Sequence, residues 1–364
     1  MTVLPAEPLN LLDDVADLTA ALMDIESVSG NEAAIANAVE TALKGLDHLE
    51  VVRDGDSIMA RTSLGRSERV ILAGHLDTVP LPSVPGSRGT VPSSRDGDVI
   101  YGRGATDMKG GVAVQLALAA RLTDPSRDVT FIFYDHEEVD ASLSGLGRLE
   151  KSFPEWLRAD FAILLEPTDG TVEGGCNGTM RFQARTTGKA AHSARAWMGE
   201  NAIHGAAEIL VRLRDHQPAT VRVEGLDYRE SLNAVKIHGG TAGNVIPDSA
   251  VVEINYRFAP DKEPAQAEAY VRELLDGFDL VLTDSSAGAR PGLDRPAAAS
   301  FVAAVGAEPK PKYGWTDVAR FSALGIPAVN FGPGDALLAH SDNEHVSSEA
   351  VRRCLAALEA WLAA

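Results

Sequence analysis

Imidazoles and carboxylates recur in five short clusters of this sequence: 74–80 (GHLDTVP), 102–111 (GRGATDMKGG), 135–140 (DHEEVD), 164–168 (LLEPT) and 339–345 (AHSDNEH). With hardly any thiol among them, these side chains form a donor set suited to zinc or a related divalent ion. Each cluster alone has an ordinary explanation. Asp107, opening a helix, complements its dipole, Glu166 before Pro167 reads as a turn residue, and a lone His-x-Asp means little. In 131–140 (FIFYDHEEVD), however, an apolar run ends in adjacent glutamates. An unpartnered buried carboxylate costs more than one apolar side chain returns, so either this block surfaces into water or a cation sits beside it. The joint occurrence of five such clusters favours the cation.

The elements around the clusters predict an α/β fold with a mostly parallel sheet. Strand candidates are VILAG (70–74), VTFIFY (129–134), FAILL (161–165) and the short IPAVNFG near the end. Helices are expected over GGVAVQLALAARL and ASLSGLGRLEKSF. A last helix opens after Ser347 and Ser348, with Glu349 in its first turn and Cys354 in its core. Open α/β sheets gather ligands at the carboxyl ends of their strands, where these clusters fall. The middle of the chain differs. A strand over 179–187, the helix NAIHGAAEILVRL capped by Asn201, strands near 231–238 and 250–258, the helix PAQAEAYVRELLDGF and the strand LVLTD follow the split βαβ, ferredoxin-like order. The expected division is therefore 1–177 with 291–364, and an inserted domain at 178–290.

Composition sets outer bounds. A chain of 364 residues suits two domains. A formal charge of −19 argues against nucleic acid or an anionic membrane as partner. Two cysteines, Cys176 and Cys354, are too few for a disulfide framework and suit a reducing cytoplasm. No run reaches membrane-spanning length, and the first residues lack the basic start of a secretory signal.

Taken together, the clusters resemble those of the co-catalytic dizinc deacylases and carboxypeptidases, a family that includes aminoacylase, acetylornithine deacetylase and succinyl-diaminopimelate desuccinylase. The resemblance spans nearly the whole chain. Stretches such as LAGHLDTVP, GTMRF, TGKAAHSARAWMGENAIH, AGNVIPD, NYRFAPD and KYGWTDVARF look most like the desuccinylase branch found in actinobacteria.

That resemblance implies a fold, a metal set and an activity. It implies a metallopeptidase-like catalytic domain with an inserted dimerisation and lid domain. His75 would bind one zinc, His340 the other, and Asp107 would bridge them, with Glu138 completing the His340 site and Glu166 the His75 site. Cobalt or manganese are possible substitutes for zinc. Asp77 would orient the His75 ring and Glu137 would act as general base on a water activated by two ions about 3.5–4 Å apart. His192 would stabilise the oxyanion from the partner subunit of a homodimer, although by itself it reads as an exposed loop histidine. Arg257, Asn244, Thr316 and Arg181 would hold the substrate's carboxylates and acyl group, the arginines through their planar fork. The implied reaction is hydrolysis of N-succinyl-L,L-2,6-diaminopimelate to succinate and L,L-diaminopimelate, with acetylornithine deacetylation or another N-acyl-amino-acid hydrolysis as the alternative. One departure stands out: family members commonly place a glycine soon after the paired glutamates, whereas EEVDASLSG delays it. His345 is left as a surface or supporting residue. His48, His136, His204, His216 and His238 have no ligand-like context.

Overall fold

The apolar run that leads into the paired glutamates is the strand Asp128–Tyr134, buried along its whole length. A computed structural model describes residues 8–364. This strand lies inside an eight-stranded sheet ordered Glu50–Asp54, Ser57–Arg61, Asp128–Tyr134, Arg69–His75, Phe161–Leu164, Ala328–Asn330, Glu173–Gly174 and Lys310–Pro311. The four from Asp128–Tyr134 to Ala328–Asn330 run parallel. Parallel strands covered on both faces need an unbroken apolar run rather than alternation, which is why VTFIFY, VILAG and FAILL are legible. The antiparallel hairpin Glu50–Asp54 with Ser57–Arg61 is an addition to the expected strands. Its signal is the two-residue loop Gly55-Asp56, with Gly55 at φ +61°.

The chain divides into two compact units. The first runs to Gly174 and resumes at Gly292–Lys310 and Arg320–Ala364. Its core joins the sheet to the helices Val15–Met23, Ala33–Lys44, Gly110–Arg121, Pro296–Val305 and Ser348–Ala363. Phe161, Phe301, Phe331 and Trp361 stack there with centroids 5.0–6.0 Å apart. Ser347 caps the last helix by accepting from the Ala350 amide, and Cys354 is buried in the core. Two glycines let the site-bearing segments crowd one carbonyl. A Cβ on Gly111 would come within 2.3 Å of the Leu165 oxygen, and one on Gly332 within 2.2 Å of the same atom. The helix that follows Asp107 can therefore press against the strand end that carries Glu166.

The expected single helix over ASLSGLGRLEKSF is broken. Asp140 caps a short 3₁₀ turn, Ala141–Leu143, and Ser144 then caps a new helix, Gly145–Ser152. Two short polar side chains that accept from nearby amides compete with helix continuity.

The second unit comprises Gly175–Pro291 and Pro311–Ala319, the latter a stretch that the expected division assigns to the terminal segment. Its four-stranded antiparallel sheet is ordered Ser231–Gly239, Ser249–Phe258, Gly178–Thr187, Asp279–Ser286, the ferredoxin-like arrangement. Met180, Phe182, Val252, Ile254 and Tyr256 form a core with residues of the helices Ala207–Asp215 and Pro264–Leu274. Asn201 accepts from the amides of Ile203 and His204, starting the helical stretch that precedes Ala207. No helix among the described residues is long and apolar enough to cross a membrane.

Phe301→Ala should destabilise the first unit by about 3–5 kcal/mol, the usual cost of emptying a buried aromatic site. A urea melt would read this as a lower midpoint at unchanged slope. A loss below about 1 kcal/mol would show that the aromatic stack is not what holds this core.

Candidate metal centre

Three strand ends and two loops bring the expected donors together. His75 ends the strand Arg69–His75, Glu166 follows Phe161–Leu164, and Glu137 and Glu138 follow Asp128–Tyr134. Asp107 comes from an irregular turn before the helix Gly110–Arg121, with non-helical angles at Asp107 (φ −123°, ψ 96°) and Met108 (φ −135°, ψ 37°). His340 comes from the loop before the last helix. Donor atoms of His75, Asp107 and Glu166 lie within 4.8 Å of one another, as do those of Asp107, Glu138 and His340, and those of His75, Glu137 and Glu138. Asp107 is common to the first two groups. Its Oδ1 lies 3.0 Å from His75 Nε2 and its Oδ2 3.3 Å from His340 Nε2, while His340 Nε2 is 2.9 Å from Glu138 Oε1.

Asp77 does more than face the His75 ring. The ring's Nδ1 lies 2.9 Å from the Asp77 backbone carbonyl and 3.6 Å from its carboxylate. The carboxylate instead accepts from the amides of Glu137 and Glu138, both at 3.0 Å, and from the Ser29 hydroxyl at 2.6 Å. It thereby fixes the backbone of the paired glutamates. His136, expected to be a plain loop residue, belongs to the same scaffold. Its Nδ1 sits 2.7 Å from Asp135 Oδ2, and its amide donates to buried Glu32 at 3.3 Å. His136 (φ 57°) and His340 (φ 63°) both adopt left-handed backbone, a strain that recurs where function over-determines conformation. Ser29 and Glu32 escape a reading of the sequence because nothing in SVSGNE points towards partners 48 and 104 positions on.

Electrostatics separates the acids from the rings. Burial alone would lower the His75 pKa, but hydrogen bonds to Asp107 and Asp77 raise it well above its usual value. The hydrogen bonds of His340 to Asp107 and Glu138 raise its pKa to about 10. Desolvation opposes ionisation of Asp107, yet the His340 and His75 rings hold its carboxyl well below the usual range. Asp77 is likewise desolvated but held down to about 2, chiefly by His75. In the metal-free chain the facing carboxylates therefore favour the protonated form of both rings. Each ring supplies one positive charge where a divalent ion would supply two, so the donor set fits metal.

The other expected site residues lie in the second unit. His192 pairs with Val245 on adjacent short strands, and the Ser193 amide donates to the Asn244 carbonyl, so His192 and Asn244 are neighbours. His192 Nδ1 accepts from the Ala194 amide at 3.1 Å, which leaves Nε2 as the ring's donor. Arg257 stands opposite Thr179 and Arg181 opposite Asn255, putting both guanidinium groups on the sheet face away from the helices. Burial, and then the nearby Arg181 charge, lowers the Arg257 pKa. Asn255, absent from the expected set, accepts from Arg257 Nε at 3.1 Å. Thr316 is buried, with its carbonyl 3.8 Å from Cys176 Sγ.

Comparison with known proteins places this geometry. The model of peptidase family M20/M25/M40 matches residues 71–364. The chain belongs to this family. It is 52% identical over 341 residues to a putative succinyl-diaminopimelate desuccinylase of Mycobacterium tuberculosis, covering 93% of this chain and 95% of that one. It is 43% identical to the succinyl-diaminopimelate desuccinylase of Corynebacterium glutamicum, covering 97% of each. A dinuclear metal binding peptidase of the M20 family from Bacillus subtilis shares the fold at TM-score 0.72 and 16% identity, over 97% of this chain and 98% of that one. The M20 fold thus accounts for the mostly parallel sheet and the additional antiparallel sheets.

In this M20 chain an imidazole driven towards its protonated form must give up that proton before it can ligate. Adding a divalent ion to metal-free protein at neutral pH should release protons, approaching one per ring. Calorimetry in buffers of different ionisation enthalpy measures this, and a heat independent of buffer would contradict it. The raised His340 pKa also sets the sign of the metal-free pH dependence. Its stabilising contribution is complete below the unfolded value of 6.5 and is lost as pH rises through about 10.

Proposed function

We propose that the chain hydrolyses N-succinyl-L,L-2,6-diaminopimelate to succinate and L,L-diaminopimelate, supplying a precursor for lysine and peptidoglycan synthesis in the cytoplasm. The observation that carries this reading is the shared position of Asp107 between two donor groups, with Glu137 beside them. It occurs in a chain 52% and 43% identical to relatives named for that reaction.

His75, Asp107 and Glu166 would hold one zinc ion, and Asp107, Glu138 and His340 a second. When bound, two such ions lower the pKa of a water towards neutrality and polarise the scissile carbonyl. Glu137, its backbone fixed by Asp77, takes a proton from the attacking water as the carbon–oxygen bond forms. It returns that proton to the amine nitrogen as the carbon–nitrogen bond breaks. A carboxylate one residue from a ligand suits this work, because the same turn sets both.

The oxyanion needs a donor, and we assign it to His192 Nε2, whose tautomer is set by the Ala194 amide. His192 would serve the partner's site in a homodimer. Support for a dimer comes from the second unit's edge strand, Ser231–Gly239, which exposes Val235 and Ile237. A sheet edge that carries exposed apolar side chains is a pairing surface. Arg257 and Arg181 would bind substrate carboxylates, with Asn244 and Thr316 contacting the acyl end.

Relative kcat/KM on succinyl-diaminopimelate, N-acetylornithine and a dipeptide tests the assignment; a higher value on either of the others would overturn it. Glu137→Gln should lower kcat by about 10²–10⁴-fold while the metal content stays at the wild-type level. His192→Ala and Glu137→Ala should each be nearly inactive alone. Refolded together, they should recover activity, because a mixed dimer rebuilds one intact site. Equal inactivity of the mixture would place His192 in its own subunit's site.

A further inference from the structure

Glu344 is fully buried, yet it belongs to none of the donor groups. Its Oε1 accepts from the amides of Thr106 and Asp107, both at 3.1 Å. Its Oε2 pairs with Arg103 Nη1 at 2.7 Å, and Arg103 is itself buried. Around it the same two segments are stitched further. The Gly102 amide donates to the Glu344 carbonyl at 3.1 Å, and the Thr106 hydroxyl donates to the His345 carbonyl at 2.6 Å.

We infer that Glu344 is a positioning residue for the dinuclear centre, clamping the Asp107 backbone to the segment that carries His340. The inference rests on the metal-site reading above. The backbone at Asp107 is non-helical, and its amide takes a side-chain carboxylate as acceptor. Burying that carboxylate is costly, and breaking a buried charge pair is costlier still. Charge-assisted bonds from two amides and a guanidinium are stronger than neutral ones and fix direction. The Asp107 carboxylate, which faces His75 on one side and His340 on the other, takes its aim from this anchored backbone.

The clamp acts unequally on the two groups. Asp107 and His340 both lie on the segments that Glu344 joins, and together they supply two of the three donors in the group with Glu138. In the group with His75 and Glu166, only Asp107 does. Loss of Glu344 should therefore weaken the His340 group more.

The test is titration of metal-free protein with Co²⁺, read by calorimetry and by the visible absorption of the bound ion. Wild type should take up two ions. Glu344→Gln keeps the size of the side chain but sets an NH₂ donor against either Arg103 or the amides of Thr106 and Asp107, so one side of the clamp is lost. It should weaken one binding step by about 10–100-fold, the scale at which groups supporting metal ligands act. The other step should change much less, and the absorption of the weakened site should shift. If Glu344→Gln does not fold, Thr106→Val removes the milder stitch and should weaken the same step by about fivefold. Two ions bound with wild-type affinities by the variant, or equal weakening of both steps alongside a lower metal-free Tm, would overturn the positioning role. A wild type that takes up fewer than two ions would instead overturn the dinuclear reading, and this inference with it.

Discussion

Everything at the carboxyl ends of the central strands depends on one electrostatic constraint: Asp107 must remain ionised where water is largely excluded. The metal-free chain meets it by holding an imidazole at each end of that carboxylate, 3.0 Å from His75 and 3.3 Å from His340. Both rings are driven towards the protonated form by the acids they face. Yet two imidazolium charges cannot balance Asp77, Asp107, Glu137, Glu138 and Glu166 together. An acid-rich cluster of this kind is a poor way to stabilise a fold, because each desolvated carboxylate needs a counter-charge. It is an effective way to hold divalent ions, for which the rings give up their protons and the carboxylates keep their charge.

The acids of this region fall into two kinds by what they touch. Asp77, Glu32 and Glu344 accept backbone amides, those of Glu137 with Glu138, His136, and Thr106 with Asp107 respectively. Asp107 and Glu138 face imidazoles instead. The first kind does not need to reach a metal to matter. An amide held by a carboxylate cannot rotate freely, so the side chain on that residue inherits a direction. This explains how neighbouring residues can hold different tasks: the turn after Asp128–Tyr134 is pinned at three successive amides, 136 to 138.

Much of this is legible in the sequence because parallel strands covered on both faces write unbroken apolar runs, and because sites in such sheets sit where those runs end. VILAG, VTFIFY and FAILL by themselves locate His75, the paired glutamates and Glu166. The ferredoxin-like order of the second unit is equally plain from its alternating strands and amphipathic helices. The supporting contacts are not legible. Glu344 meets Asp107 across 237 residues and Glu32 meets His136 across 104, and each bond is to a backbone amide that every residue type presents. No pattern of side chains records such a pairing. The break at 140–144 escapes the helical pattern for a local reason: Asp140 and Ser144 each accept an amide nearby, and ASLSGLGRLEKSF shows helical spacing on either side of that competition.

The recognition proposed for the second unit follows the same logic. Met180, Phe182, Tyr256 and Phe258 fill the covered face of its sheet, so the period-two alternation sends Arg181 and Arg257 to the open one. There burial, and then the Arg181 charge, weighs against the ionised form of Arg257. Asn255 occupies Arg257 Nε and so leaves the end-on pair of nitrogens to meet a ligand. Two cations that repel across adjacent strands are unfavourable in isolation, and an anion between them reverses the sign of that interaction. The sheet fixes where both side chains emerge, on one face of adjacent strands. The proposed substrate carries several carboxylates, whereas a dipeptide carries a single terminal one. Under that proposal, discrimination would rest on whether the ligand brings enough negative charge to the open face rather than on the metal ligands.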